Sequence, residues 1–181
     1  GGFAFFSVFT SQPYKALEIA RVAEERYPGL FVAFISPPGE MNDVTTVSGF
    51  RLQEMLTANP GVFKGLGEMR FNATGELFAD TVSDAAPRST LPVLAARGMM
   101  MYMHPDDGQT DELAQLFADN PDTNFIAHGD QTEVDIGLLM ERYPNIYYTI
   151  DALIGDQYLL DPELSLEWYL SNTDDFSWML D

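Results

Sequence analysis

The chain has no cysteine, only two histidines, and nine Lys and Arg against 28 Asp and Glu among its 181 residues. Each shortage removes a class of explanation. Without thiols there is no disulfide framework, and a metal could be held only by His, Asp and Glu, donors that suit zinc, manganese or iron. The formal charge of -19 repels phosphate backbones and anionic membrane surfaces, so neither nucleic acid nor a membrane is expected as a partner. The acids are dispersed, as on a solvated acidic surface, and form no tail. No apolar run approaches the roughly 20 residues of a membrane helix. The most apolar stretch, Gly1 to Phe9, is about half that length and has no basic residue before it, so it reads as a buried strand. No signal or transmembrane segment is visible, and the default expectation is a cytoplasmic protein. A chain that opens directly in a core strand, without a start methionine, is expected to be a piece of a longer polypeptide.

What is present is the material of a packed domain: 46% apolar, 13% aromatic and 20% charged residues. An amphipathic helix, a residue followed by proline, and a short apolar strand recur in that order. Tyr27-Pro28 leads into Leu30 to Ile35, and Asn59-Pro60 into Val62 to Met69. Asn120-Pro121 leads into Asn124 to Ala127, and Tyr143-Pro144 into Ile146 to Ile150. Proline cannot continue a helix and disfavours αR in the residue before it, so each phrase marks a helix stop. Gly98 plays that part before Met99 to Met103. Ala16, Leu17, Ala20 and Ala23 share one helical face, as do Leu113, Leu116 and Phe117. Ser11, Thr110 and Thr132 stand where N-caps are expected. Gly39 to Gly49 and Asn72 to Arg88 read as long connections after strands.

Counting the opening run, the pattern gives an α/β fold of about six parallel strands with alternating helices, an incomplete (β/α) TIM-barrel-like arrangement within a single partial domain spanning residues 1–181. A closed eight-stranded barrel typically needs roughly 250 residues.

Both histidines stand at the C-terminal end of an expected strand, His104 after Met99 to Met103 and His128 after Phe125 to Ala127. That is the functional face of a parallel α/β fold, and ligands from adjacent strand ends can converge on one ion. A lone histidine is more often structural, but two at equivalent positions favour a shared site. Glu68 lies in an otherwise apolar strand where a charge is expensive to bury alone. It needs a cation, and the alternative to a metal is pairing with Arg70 or Lys64. Asp151 ends the next strand on the same face, where a helix cap or loop hydrogen bond is the plainer role.

Gly67-Glu68-Met69-Arg70, His104-Pro105-Asp106, Ala127-His128-Gly129 and Tyr143-Pro144-Asn145-Ile146-Tyr147, in this order and spacing, resemble the amidohydrolase superfamily. The nearest branches are the TIM-barrel metal-dependent hydrolases and the TatD-like enzymes. The resemblance implies metal ligation by Glu68, His104 and His128, with the two histidines in the catalytic centre and Arg70, Asp106 and Asp151 near the substrate. It implies a divalent cofactor, zinc or manganese, and metal-activated hydrolysis of a small organic ester, amide or lactone. A TatD-like phosphodiesterase is the alternative enzyme, and a catalytically inactive barrel fragment that binds or oligomerises is the alternative outside catalysis.

The superfamily also uses a His-x-His pair on its first strand and an Asp on its last, and neither has a counterpart here. The chain as given is therefore expected to bind metal weakly or not at all and to turn over little, whereas a version extended at both ends would do both. Copies are expected to associate through open sheet edges.

Overall fold

The structure, a computed structural model, describes residues 2–9, 13–36, 47–70, 85–105, 108–128 and 133–149. Strands and helices alternate throughout: β1 (Gly2–Ser7), α1 (Tyr14–Arg26), β2 (Phe31–Ser36), α2 (Gly49–Ala58), β3 (Gly65–Arg70), α3 (Ala85–Ala95), β4 (Met100–His104), α4 (Thr110–Asp119), β5 (Asn124–His128), α5 (Glu133–Arg142) and β6 (Ile146–Thr149). All neighbouring strands pair in parallel, in the order β1-β2-β3-β4-β5-β6.

That order has a steric consequence. Parallel crossovers are right-handed, so six strands laid down in sequence, without a reversal, carry every helix on one face. The packing agrees. Ala20 of α1, Leu52 and Leu56 of α2, Leu91 and Leu94 of α3, Leu113, Leu116 and Phe117 of α4, and Ile136 and Leu139 of α5 join one buried cluster. The strands contribute alternate residues to it, such as Ala33, Ile35, Met101, Met103, Phe125 and Ala127, as a period of two requires. The other face carries a separate cluster made only of strand residues, Phe34, Tyr102 and Ile126 with Val32 and Met100 packed against them.

This second face is concave. Strands β1 and β4 are three steps apart, about 14 Å in a flat sheet at roughly 4.8 Å per step. Yet the rings of Phe3 and Phe5 lie 5.4 and 5.1 Å from that of Tyr102. Phe3 of β1 and Tyr147 of β6 line one open depression of about 370 Å³ with Met100, Asn124, Ile126 and Thr149. The sheet is thus an open, strongly curled α/β sheet, with Phe3, Phe5 and Tyr147 still 39, 41 and 51% exposed on its inner side.

The proline phrases end helices as their chemistry requires, and two of them add a device of their own. Asn59 and Asn120, each just before proline, are the C-caps of α2 and α4. Their side-chain amides donate back to the carbonyls of Met55 (2.9 Å) and Leu116 (2.8 Å), satisfying acceptors that the helix end leaves open. Gly98, at φ 61°, closes α3 in a Schellman arrangement. Met99 N donates to Leu94 O and Gly98 N to Ala95 O.

Asn145, the residue after the fourth of these prolines, is buried. Its amide donates to the carbonyls of Asn120 (3.0 Å) and Thr123 (3.1 Å), and more weakly to that of Phe117 (3.4 Å). It fastens the α4–β5 turn to the start of β6. Asn145→Ala would take the amide donor from Thr123 O, while Phe117 O and Asn120 O keep backbone donors, and a loss of about 1 kcal/mol is expected in a urea unfolding titration. A change below about 0.5 kcal/mol would show that water replaces the amide at no cost.

Beyond shifts of one or two residues at element ends, the boundaries differ from the sequence reading in three places. Thr110 is the first helical residue of α4, and its N-cap is Gln109, whose side chain makes no capping bond. Ser48, not expected as a cap, accepts from Arg51 N at the start of α2. Val62 and Phe63 are buried but precede β3, because apolar character reports burial and not strand pairing. Ser11 and Thr132 lie outside the described residues. Among the described residues, no helix is long and apolar enough to cross a membrane.

Candidate metal centre

Three neighbouring strands deliver the candidate residues. His104 is the last residue of β4 and His128 the last of β5, and both continue the inward-facing series of their strands, Met100-Tyr102-His104 and Asn124-Ile126-His128. Glu68 needs a different device. Leu66 and Met69 both face the helices, although a separation of three should put them on opposite faces. The register explains it: Leu66 pairs with Met101 and Met69 with Met103, so Gly67 and Glu68 together stand opposite Tyr102 alone. This is a β-bulge, which re-aims side chains at the end of a strand. Glu68 turns inward as a result.

Gly67 is what allows the bulge to lie against β4. Its φ is 154°, and a Cβ there would fall on the carbonyl oxygen of Tyr102 and 2.7 Å from the Tyr102 Cβ.

One ligand atom from each of Glu68, His104 and His128 lies within 4.8 Å of the other two. Glu68 Oε1 stands 3.2 Å from His128 Nε2 and 3.7 Å from His104 Nδ1. These spacings bracket the roughly 3.4 Å that two ligands subtend at a tetrahedral ion with bonds of about 2.1 Å. The imidazoles meet edge to face, with centroids 4.7 Å apart. The side chains are graded in exposure, 29% for Glu68, 23% for His104 and 9% for His128, so Glu68 is the most accessible of the three and His128 the deepest. Neither ring nitrogen of His128 makes a hydrogen bond with a described residue. Among the described residues its close polar neighbour is the Glu68 carboxylate, 3.2 Å from Nε2, and a shared ion could satisfy both groups. Two imidazoles and a carboxylate, close-set and reachable, could hold a divalent ion, and the set does not by itself choose which metal.

Lys64 donates to Gly61 O (3.2 Å) on the exposed side of the strand's start. Arg70 stands opposite His104 in the β3–β4 register, and its side chain, like all of Asp106 and Asp151, lies outside the described residues. Two contributors escaped the sequence reading. Tyr102 lies against His128, ring centroids 4.7 Å apart, and its hydroxyl is hydrogen-bonded to Thr149 Oγ1 at 3.2 Å. Thr149 is the register partner of His128. The signal was available: Tyr102 precedes His104 by two residues, which puts it on the same face.

Compared with known proteins, the chain matches no family model, no curated protein and no solved structure.

Proposed function

We propose that the chain is the metal-binding part of a hydrolase that acts on a small organic substrate, built on a (β/α) barrel of the amidohydrolase kind. The observation that carries this reading is the convergence of Glu68, His104 and His128 at the C-terminal ends of three adjacent parallel strands. The one-sided helices and the curl that brings Phe3 and Phe5 of β1 onto Tyr102 of β4 support the barrel.

Glu68 and the two histidines would hold the ion, and zinc and manganese both suit such donors. When bound, a divalent ion supplies Lewis acidity, activating water as the nucleophile and polarising the bond to be broken. The protein residues contribute the fixed geometry. His128 is held deep and His104 beside it, while Glu68, the most exposed of the three, stands on the side from which a substrate would enter. The charge of -19 disfavours phosphodiesters and favours neutral or cationic esters, amides and lactones.

Equilibrium dialysis against Zn²⁺ and Mn²⁺, paired with an ester, amide and lactone panel, tests the reading. The expected result is one ion per chain and turnover that chelation removes and added metal restores, weak in the chain as given. Ion binding no greater than that of a His104→Ala/His128→Ala double variant, together with a tight dimer, would instead favour a non-catalytic module that covers its exposed inner face by association.

A further inference from the structure

The non-ligating nitrogen of a metal-bound histidine is normally tied to a carboxylate, carbonyl or water, which fixes the ring and its tautomer. No described residue does this for His128. The ring is nonetheless confined, because it lies at 4.7 Å and 36° on the face of Tyr102. Tyr102 is itself almost wholly buried and fixed from three directions. Phe3, Phe5 and Phe34 surround it, with ring centroids at 5.4, 5.1 and 5.9 Å. Its hydroxyl is tied to Thr149. Its Cβ and carbonyl abut Gly67 so closely that a methyl group there has no room.

We propose that Tyr102 is the positioning residue of the metal centre, orienting His128 through its ring face where a hydrogen bond would usually do so. The role rests on the metal-binding reading above. An aromatic face can hold an imidazole because offset and tilted ring pairs at 4.5 to 7 Å are favourable by about 0.5–1.5 kcal/mol beyond the area they bury. The effect on the ion is indirect but large, since misorienting one ligand typically costs about 10- to 100-fold in affinity. The same tyrosine touches the bulge that aims Glu68, so one side chain sets the relation between two of the three ligands.

The test compares four proteins by Co²⁺ and Zn²⁺ titration and by thermal unfolding of the metal-free form. Tyr102→Phe keeps the ring and should bind within about 3-fold of wild type. Tyr102→Leu should lose about 10- to 100-fold. Phe117→Leu removes a buried ring from the helix-side core, away from Tyr102 and His128, and should lose thermal stability comparably while keeping its affinity. Equal affinity losses in Tyr102→Leu and Phe117→Leu, or none in Tyr102→Leu, would overturn the role.

The metal-free wild type gives a reading that needs no variant to fold and no metal to bind. Its His128 imidazole should give one sharp set of NMR signals, as a ring already held does, and broadened or doubled signals would refute the proposal. Sharp signals in a protein that takes up no ion would leave the stacking intact and sink only the metal reading.

Discussion

His128→Leu is expected to abolish binding of a divalent ion while leaving the metal-free protein as stable as wild type, or about 1 kcal/mol more stable. The two effects have one cause. His128 is buried, and its ring nitrogens have only the 3.2 Å approach of Nε2 to Glu68 Oε1 in place of a hydrogen bond to a described residue, so the metal-free fold gains little from the imidazole. Leucine is of similar bulk, can rest on Tyr102, and removes the polar atoms. Removing a ligand outright should cost more than the roughly 10- to 100-fold typical of losing a ligand's supporting contact. Titration and thermal unfolding at about pH 8, where metal ligands are readily deprotonated, would measure both. A variant that loses 2 kcal/mol or more would show His128 to be a structural residue, and unchanged affinity would move the ion elsewhere.

Gly67→Ala is expected to lose about 3 kcal/mol of stability and most of the metal affinity. The new methyl would meet backbone and Cβ atoms of Tyr102, which cannot swing aside as the tip of a flexible side chain could. Relief requires β3 and β4 to separate at the bulge, and overpacking of this kind typically costs about 1–3 kcal/mol. The positive φ of Gly67 adds to this, because alanine avoids that region. Separation would carry Glu68 away from both imidazoles and disturb the face on which His128 rests. Urea unfolding with a parallel ion titration separates the two losses. Wild-type stability in the variant would show that the strands have slack, contrary to the close contact seen.

Much of this was written plainly in the chain. Each proline phrase marked a helix end because the pyrrolidine ring forbids continuation whatever the tertiary context, and the two histidines marked strand ends because each follows an apolar run. The site's third member was legible as a charge out of place in an apolar strand and through the resemblance carried by Gly67-Glu68-Met69-Arg70. What aims Glu68 is a bulge, and a bulge is a relation between two strands: nothing in Gly67-Glu68 announces that Tyr102 stands alone opposite both. The same limit hid the tyrosine's contact with His128 and the curl that brings β1 onto β4, which depend on partners far along the chain. Capping was misread at Thr110 for a local reason, since a threonine can begin a helix as well as precede it. Asn59 and Asn120 were read through the prolines that follow them, although their own amides close the helices.

The unbroken strand order also governs how the centre could come into being. Every strand finds its partner in the strand just before it, so the sheet can grow by accretion, each new unit docking on a finished edge with a modest loop to close. A nascent chain ending after β4 would already hold Glu68 and His104 side by side, yet would lack the deepest ligand. Only the arrival of β5 completes the set, so an ion held by all three would gain its binding free energy at that one docking step, and would clasp the middle of the sheet while leaving its two edges to their own packing.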